Sequence, residues 1–169
     1  MKAVVELLND MKQAGVIQEY ALFGAVAQMR YTEPVATLDA EVLVLLKDAA
    51  VIDMLGPIYR FCRERGYLPH EEAILVGDWP VQFIPIFSPL TEEAVREAEM
   101  GDIEGVSVRV VSARHLAALA LSVGRAKDYT RILALMESKT ATCGEIEEVA
   151  LRHGLQGQWK TFKRRFLNE

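Results

Sequence analysis

The segment Asp39-Ala-Glu-Val-Leu-Val-Leu-Leu46 limits what this chain can fold into more than any other. Five apolar residues in a row, Val42 to Leu46, preceded by two acids, read as a strand over residues 39–46. Side chains alternate faces along a strand, so Asp39 and Glu41 emerge on the same side with their backbones about 6.7 Å apart. Two carboxylates side by side at the end of a buried run repel one another. A divalent cation between them removes the conflict, and an all-oxygen site of this kind suits magnesium. The alternative is the start of a strand at the solvent edge with both acids hydrated.

Composition narrows the classes of function. The chain has 169 residues, 51% of them hydrophobic and 25% charged, enough for a packed core and without the signature of disorder. Nineteen basic against twenty-four acidic residues leave a net charge of −5, which disfavours a general nucleic-acid coat. The apolar runs fall far short of the roughly 20 residues of a membrane span. Glu6 and Asp10 interrupt the first residues, so these do not make the core of a signal peptide. A cytoplasmic protein without a membrane segment is expected. Cys62 and Cys143 are 81 residues apart with no CxxC, and His70, His115 and His153 show no ligand spacing, so all five read as packing or surface residues. No GxSxG turn supports a hydrolase triad.

The remaining pattern alternates helices and strands. An amphipathic helix carries Val4, Val5, Leu7, Leu8 and Met11 and ends before Gly15. Tyr20 to Phe23 reads as a strand, and Gly24-Ala-Val-Ala27 opens a helix close against it. A helix is expected from Val51 to Arg65, then strands Ala73 to Val76 and Val81 to Ile86 joined by a Gly77-Asp-Trp-Pro80 turn. A helix over Thr91 to Ala98, a strand over Val106 to Val111 and a helix capped by Ser112 follow. Everything beyond is helical, with breaks near Gly124 and Gly154 and a capping box at Thr142 and Glu145. The fold class is therefore α/β (α+β): a mixed β-sheet flanked by helices, with a C-terminal helical extension.

The order strand, glycine turn, helix, then an acid pair on the next strand resembles the nucleotidyltransferase superfamily, specifically its minimal and abortive-infection (AbiEii-like) branch. Gly24, Ala27, Tyr31, Glu33-Pro34, Thr37, Asp39 and Glu41 fall in step with that branch's motif. Val108-Arg-Val-Val-Ser112, Leu116 and Gly124-Arg-Ala-Lys-Asp128 continue it downstream. The resemblance implies a nucleotidyltransferase-like domain over residues 1–137 and the helical extension over 138–169. It implies Mg2+-dependent transfer of a nucleotidyl group from a nucleoside triphosphate to a hydroxyl, with an RNA or protein acceptor and a toxin or antitoxin partner among the options. Carried over by position, Asp39 and Glu41 are the catalytic metal ligands. Gly24 and Ala25 cradle phosphates, Arg125 and Lys127 supply positive charge or pair on the surface, and Asp128 caps a helix.

Several positions depart from the motif. Gln82 stands where a third carboxylate is expected, and an amide oxygen can ligate a hard cation without bringing charge. Ala25 replaces a glycine or serine, Val35 an arginine, Ala120 or Leu121 a lysine, and Arg131 an acid. These changes point to weak or altered catalysis, with a nucleotide- or partner-binding member lacking turnover as the competing reading. A further reading is a nucleic-acid-binding module using Trp159, Phe162 and Phe166 with Lys160, Lys163, Arg164 and Arg165; the competing account docks that aromatic face on the core.

Overall fold

The computed structural model describes residues 1–47 and 53–168. In chain order the elements are α1 (Lys2–Gln13), β1 (Glu19–Phe23), α2 (Gly24–Gln28), β2 (Ala40–Leu45), α3 (Gly56–Glu64), β3 (Pro69–His70), β4 (Ala73–Val76) and β5 (Trp79–Pro85). There follow α4 (Pro89–Arg96), β6 (Glu99–Ile103), β7 (Val106–Val110), α5 (Ala113–Val123), α6 (Ala126–Glu137), α7 (Cys143–Arg152) and α8 (Gln156–Phe166). The strands form one mixed sheet in the order β3-β4-β5-β2-β1-β7-β6.

The apolar run becomes the middle one of the seven strands among the described residues. β2 pairs antiparallel with β1 and parallel with β5, and Val42, Leu43 and Val44 are all fully buried. A strand covered on both faces needs apolar side chains at consecutive positions, which is why alternation is absent there. Asp39 lies one residue before β2, not within it.

Helices cover the sheet through one continuous apolar core. It includes Val4, Leu8 and Met11 of α1, Leu116 and Leu121 of α5, Ile132 of α6, Ile146 of α7, and Trp159 and Phe162 of α8. The aromatic face of α8 is thus inside: Trp159 stacks on Phe162 at 5.4 Å, and Phe162 meets Tyr129 of α6 at 5.9 Å. Among the described residues no helix is long and apolar enough to cross a membrane.

Four differences from the sequence reading have local causes. Val51 and Ile52, the expected start of the third helix, lie outside the described residues; the described helix starts at Gly56 with Pro57 in its first turn. Trp79 and Pro80 belong to β5, pairing with Val76 and Leu75, so the hairpin turn is Gly77-Asp78 alone. The helix expected at Thr91 begins at Pro89, because Ser88 caps it and exchanges hydrogen bonds with Thr91. Two strands were not anticipated: β3, only two residues long, and β6, whose hairpin with β7 turns at Glu104-Gly105, both at positive φ.

Glu93 of α4 ties three helices together. Its Oε1 accepts from His115 Nε2 (3.0 Å, α5) and from an Arg152 guanidinium nitrogen (2.6 Å, α7), and its Oε2 accepts from His153 Nε2 at 2.6 Å. Burial pushes the Glu93 carboxyl up, but the donors Arg152, His115 and His153 outweigh it and hold the pKa at about 2. Burial moves the His115 pKa down, favouring the neutral ring. With Nε2–H pointed at Glu93, Nδ1 accepts from Ser112 Oγ at 2.7 Å. A depressed carboxyl pKa stabilises the fold above the unfolded value, 4.5, and that contribution disappears as pH falls toward about 2. Glu93→Gln is expected to cost roughly 1–2 kcal/mol at pH 7, after allowing for solvent screening at this partly exposed side chain. Urea melts from pH 6 to pH 2 check this: the gap between wild type and variant should close in the acid range.

Candidate functional site

The acid pair opens into a cavity of about 540 Å³ where β2, β5, α2 and α6 converge. Glu41 and Gln82 line it from the sheet, Asp39 from the residue just before β2, Ala25 and Gln28 from α2, and Lys127, Thr130 and Arg131 from α6. Pairing places these groups: Glu41 lies opposite Phe23 on one side and opposite Gln82 on the other. Thr37 Oγ1 lies 2.9 Å from the Asp39 carbonyl oxygen and 3.3 Å from its carboxylate Oδ1, tethering the residue just before the strand.

Gly24 makes room for the carboxylate. It has φ +62°, and a Cβ built on it would run into Glu41 Oε2. Two independent constraints therefore require glycine here, a left-handed backbone and the side chain lying against it. The helix that follows is only five residues long. Space beneath Glu41, more than a helix dipole, is what the turn contributes.

Electrostatics concentrate on Glu41. Burial pushes its carboxyl above the ordinary range and the Asp39 charge adds to this, while Arg131, Lys127 and Arg125 pull it down. Two carboxylates that repel one another in a recess, offering only hard oxygen atoms, fit one divalent cation such as Mg2+. Gln82, directly beside Glu41, adds an uncharged oxygen.

The other sequence candidates divide. Lys127 lines the cavity. Arg125 does not: its Nε donates to Asp128 Oδ2 at 2.8 Å, and its backbone N–H donates to the same oxygen at 3.0 Å. Asp128 thus sits three residues inside the helix start and reaches back, instead of being the cap itself. The nucleic-acid reading of α8 loses two of its three stacking groups, because Trp159 and Phe162 are 2% and 1% exposed, while Phe166 is half-buried.

Sequence reasoning did not find two features. Gln28, 6% exposed, accepts from Arg131 Nε at 2.9 Å across 103 residues. A second cavity, about 570 Å³, shares Asp39 and Gln82 with the first and is rimmed by His70, Glu71 and Glu72. The three-residue spacing of Ala25 and Gln28 on one helix face was the available signal for the former; the latter depends on β3, too short to show in the sequence. Among the described residues, three metal-ligating side chains come within 4.8 Å of one another only at Glu93, Glu97 and His115. There Arg152 (2.6 Å) and Arg114 (2.8 Å) already pair with the two carboxylates, so that cluster is a structural junction.

The same architecture occurs in solved structures. The chain is similar to an antigenic nucleotidyltransferase-like protein from Paracoccidioides brasiliensis, with TM-score 0.67 and 13% identity over 99% of this chain and 88% of that one. The chain shares the fold of that nucleotidyltransferase-like protein. It is also similar to the antibiotic-resistance factor ANT(2'')-Ia in solution, with TM-score 0.54 and 12% identity over 99% of this chain and 98% of that one. Against the crystal structure of ANT(2'')-Ia in complex with adenylyl-2''-tobramycin, the TM-score is 0.55 and the identity 12%, over 96% and 97% of the two chains. Comparison with protein-family models and with curated proteins gives no match.

Replacing Gly24 tests the geometry. Gly24→Ala should destabilise the fold by at least about 1 kcal/mol, from the positive φ and the displaced Glu41 together. Gly144→Ala on α7, where an added Cβ meets nothing within 4 Å, should be neutral or slightly stabilising. Chemical denaturation of both variants gives the comparison.

Proposed function

We propose that the cleft binds a nucleoside triphosphate together with Mg2+ and transfers its nucleotidyl group to a hydroxyl acceptor on RNA, protein or a small molecule. The observation carrying this reading is the Asp39–Glu41 pair standing in one cavity with Lys127 and Arg131, on a nucleotidyltransferase fold. Carboxylates alone repel a polyphosphate. Carboxylates faced by fixed cations suit a metal-bound polyphosphate.

Asp39 and Glu41 are the residues that would hold Mg2+, and the bound ion would supply Lewis-acid stabilisation of charge at the reacting phosphate. Lys127 and Arg131 meet the phosphate oxygens from the α6 side. Gly24 keeps the space that Glu41 occupies, and Ala25 forms the wall beside it. Arg125, committed to Asp128, stiffens the start of α6 and acts on the cleft at longer range.

A second reading is favoured by one residue. Gln82 sits where a carboxylate next to Glu41 would complete a fully charged ligand set, so the same cavity also suits nucleotide binding without turnover. Thermal shift and transfer assays separate the two. Mg2+ with the preferred triphosphate, at about a hundredfold over Kd, should raise Tm by roughly 5–10 °C, and Asp39→Ala should abolish the rise. Labelled-nucleotide transfer to total cellular RNA and protein, with Asp39→Ala as control, then distinguishes an enzyme from a binder. No shift with any of the four triphosphates would overturn both readings.

A further inference from the structure

Arg131 holds a fixed position in the cleft. Its Nε donates to Gln28 Oε1 at 2.9 Å, and Gln28 is 6% exposed at the end of α2. A guanidinium braced by a buried amide pays little further entropy on meeting an anion, and its fork suits phosphate oxygens.

The charge around the cavity is balanced before any ligand arrives. Asp39 and Glu41 are matched by Lys127 and Arg131, and the other lining residues are uncharged, so the cleft is neutral. One divalent cation between the carboxylates brings the cleft to +2, a good counterpart for a polyphosphate. A second would bring it to +4 with no third carboxylate in the lining of this cavity to bind it, since the side chain paired beside Glu41 is the amide of Gln82. Arg131 and Lys127 also repel it directly.

We propose that the cleft holds a single divalent cation, between Asp39 and Glu41, and that Arg131 braced by Gln28 supplies the second positive charge that a polyphosphate meets there. The inference rests on the nucleotide reading above. It makes Arg131 a binding residue and Gln28 a positioning residue, and it predicts that part of the affinity for polyphosphate survives removal of the metal.

Counting bound Mn2+ by electron paramagnetic resonance tests this on the intact chain, with α,β-methylene analogues of the four nucleoside triphosphates. The expected count is one Mn2+ per chain in the complex with the analogue that binds. A count of two overturns the single-ion inference and leaves the nucleotide reading standing; absence of binding by every analogue overturns both. Arg131→Ala should weaken analogue binding at least about tenfold in saturating Mn2+ while the count stays at one, and Arg131→Lys should recover part of the loss. Unchanged affinity in a folded Arg131→Ala protein overturns the role given to Arg131. The double variant Gln82→Asp with Arg131→Ala should take up a second Mn2+; a count still at one overturns the account of what excludes it.

Discussion

Glu41 stands at the beginning of a strand buried on both faces and lies against a residue that has no side chain, and most of the candidate site depends on that placement. Because β2 has neighbours on both edges and helices over its faces, its position is rigid, and a carboxylate there is partly withdrawn from water. A Cβ at Gly24 would push the carboxylate away. Gln82 and Phe23 are then brought beside Glu41 by pairing alone, since each occupies the matching position of an adjacent strand. The site is thus built on sheet register, which is strongly specified where the strands are buried.

The helical half of the chain completes the site from the other side. α6 brings Lys127, Thr130 and Arg131 over the carboxylates, and its start is secured by Asp128 folding back on Arg125. Its far face packs on α8 through Tyr129 and Phe162. α7 is held to α4 through Glu93, which takes up Arg152 and His153. The C-terminal helices thereby set where the cations of α6 stand relative to the acids of β2. A neutral cleft with separated charges results, and a second cavity edged by Glu71 and Glu72 shares Asp39 and Gln82 with it.

Much of the architecture is local enough to be legible in the residues. The helix of Val4, Val5, Leu7, Leu8 and Met11 and the capping at Ser112 and Thr142 appear where periodicity and cap chemistry put them, and β2 lies one residue inside each end of the strand expected over 39–46. Short or exposed elements escaped. β3 has two residues, and β6 is an edge strand whose residues are exposed or half-buried, so neither carries a hydrophobic pattern. Asp39 and Glu41 were legible as a pair because two-residue spacing carries its own geometry. The bond between Gln28 and Arg131 was not, because nothing within a few residues of either one implies the other.

The sequence by itself determined the central strand and the two acids at its beginning, since these follow from hydrophobic pattern and side-chain alternation over a few residues. Only the tertiary structure decided that Gln82 stands beside Glu41, that Lys127 faces the acids while Arg125 turns to Asp128, and that Gln28 braces Arg131. The reason is the range of the forces. Propensity and periodicity act between near neighbours, whereas register and the meeting of distant helices are set by how the whole core packs.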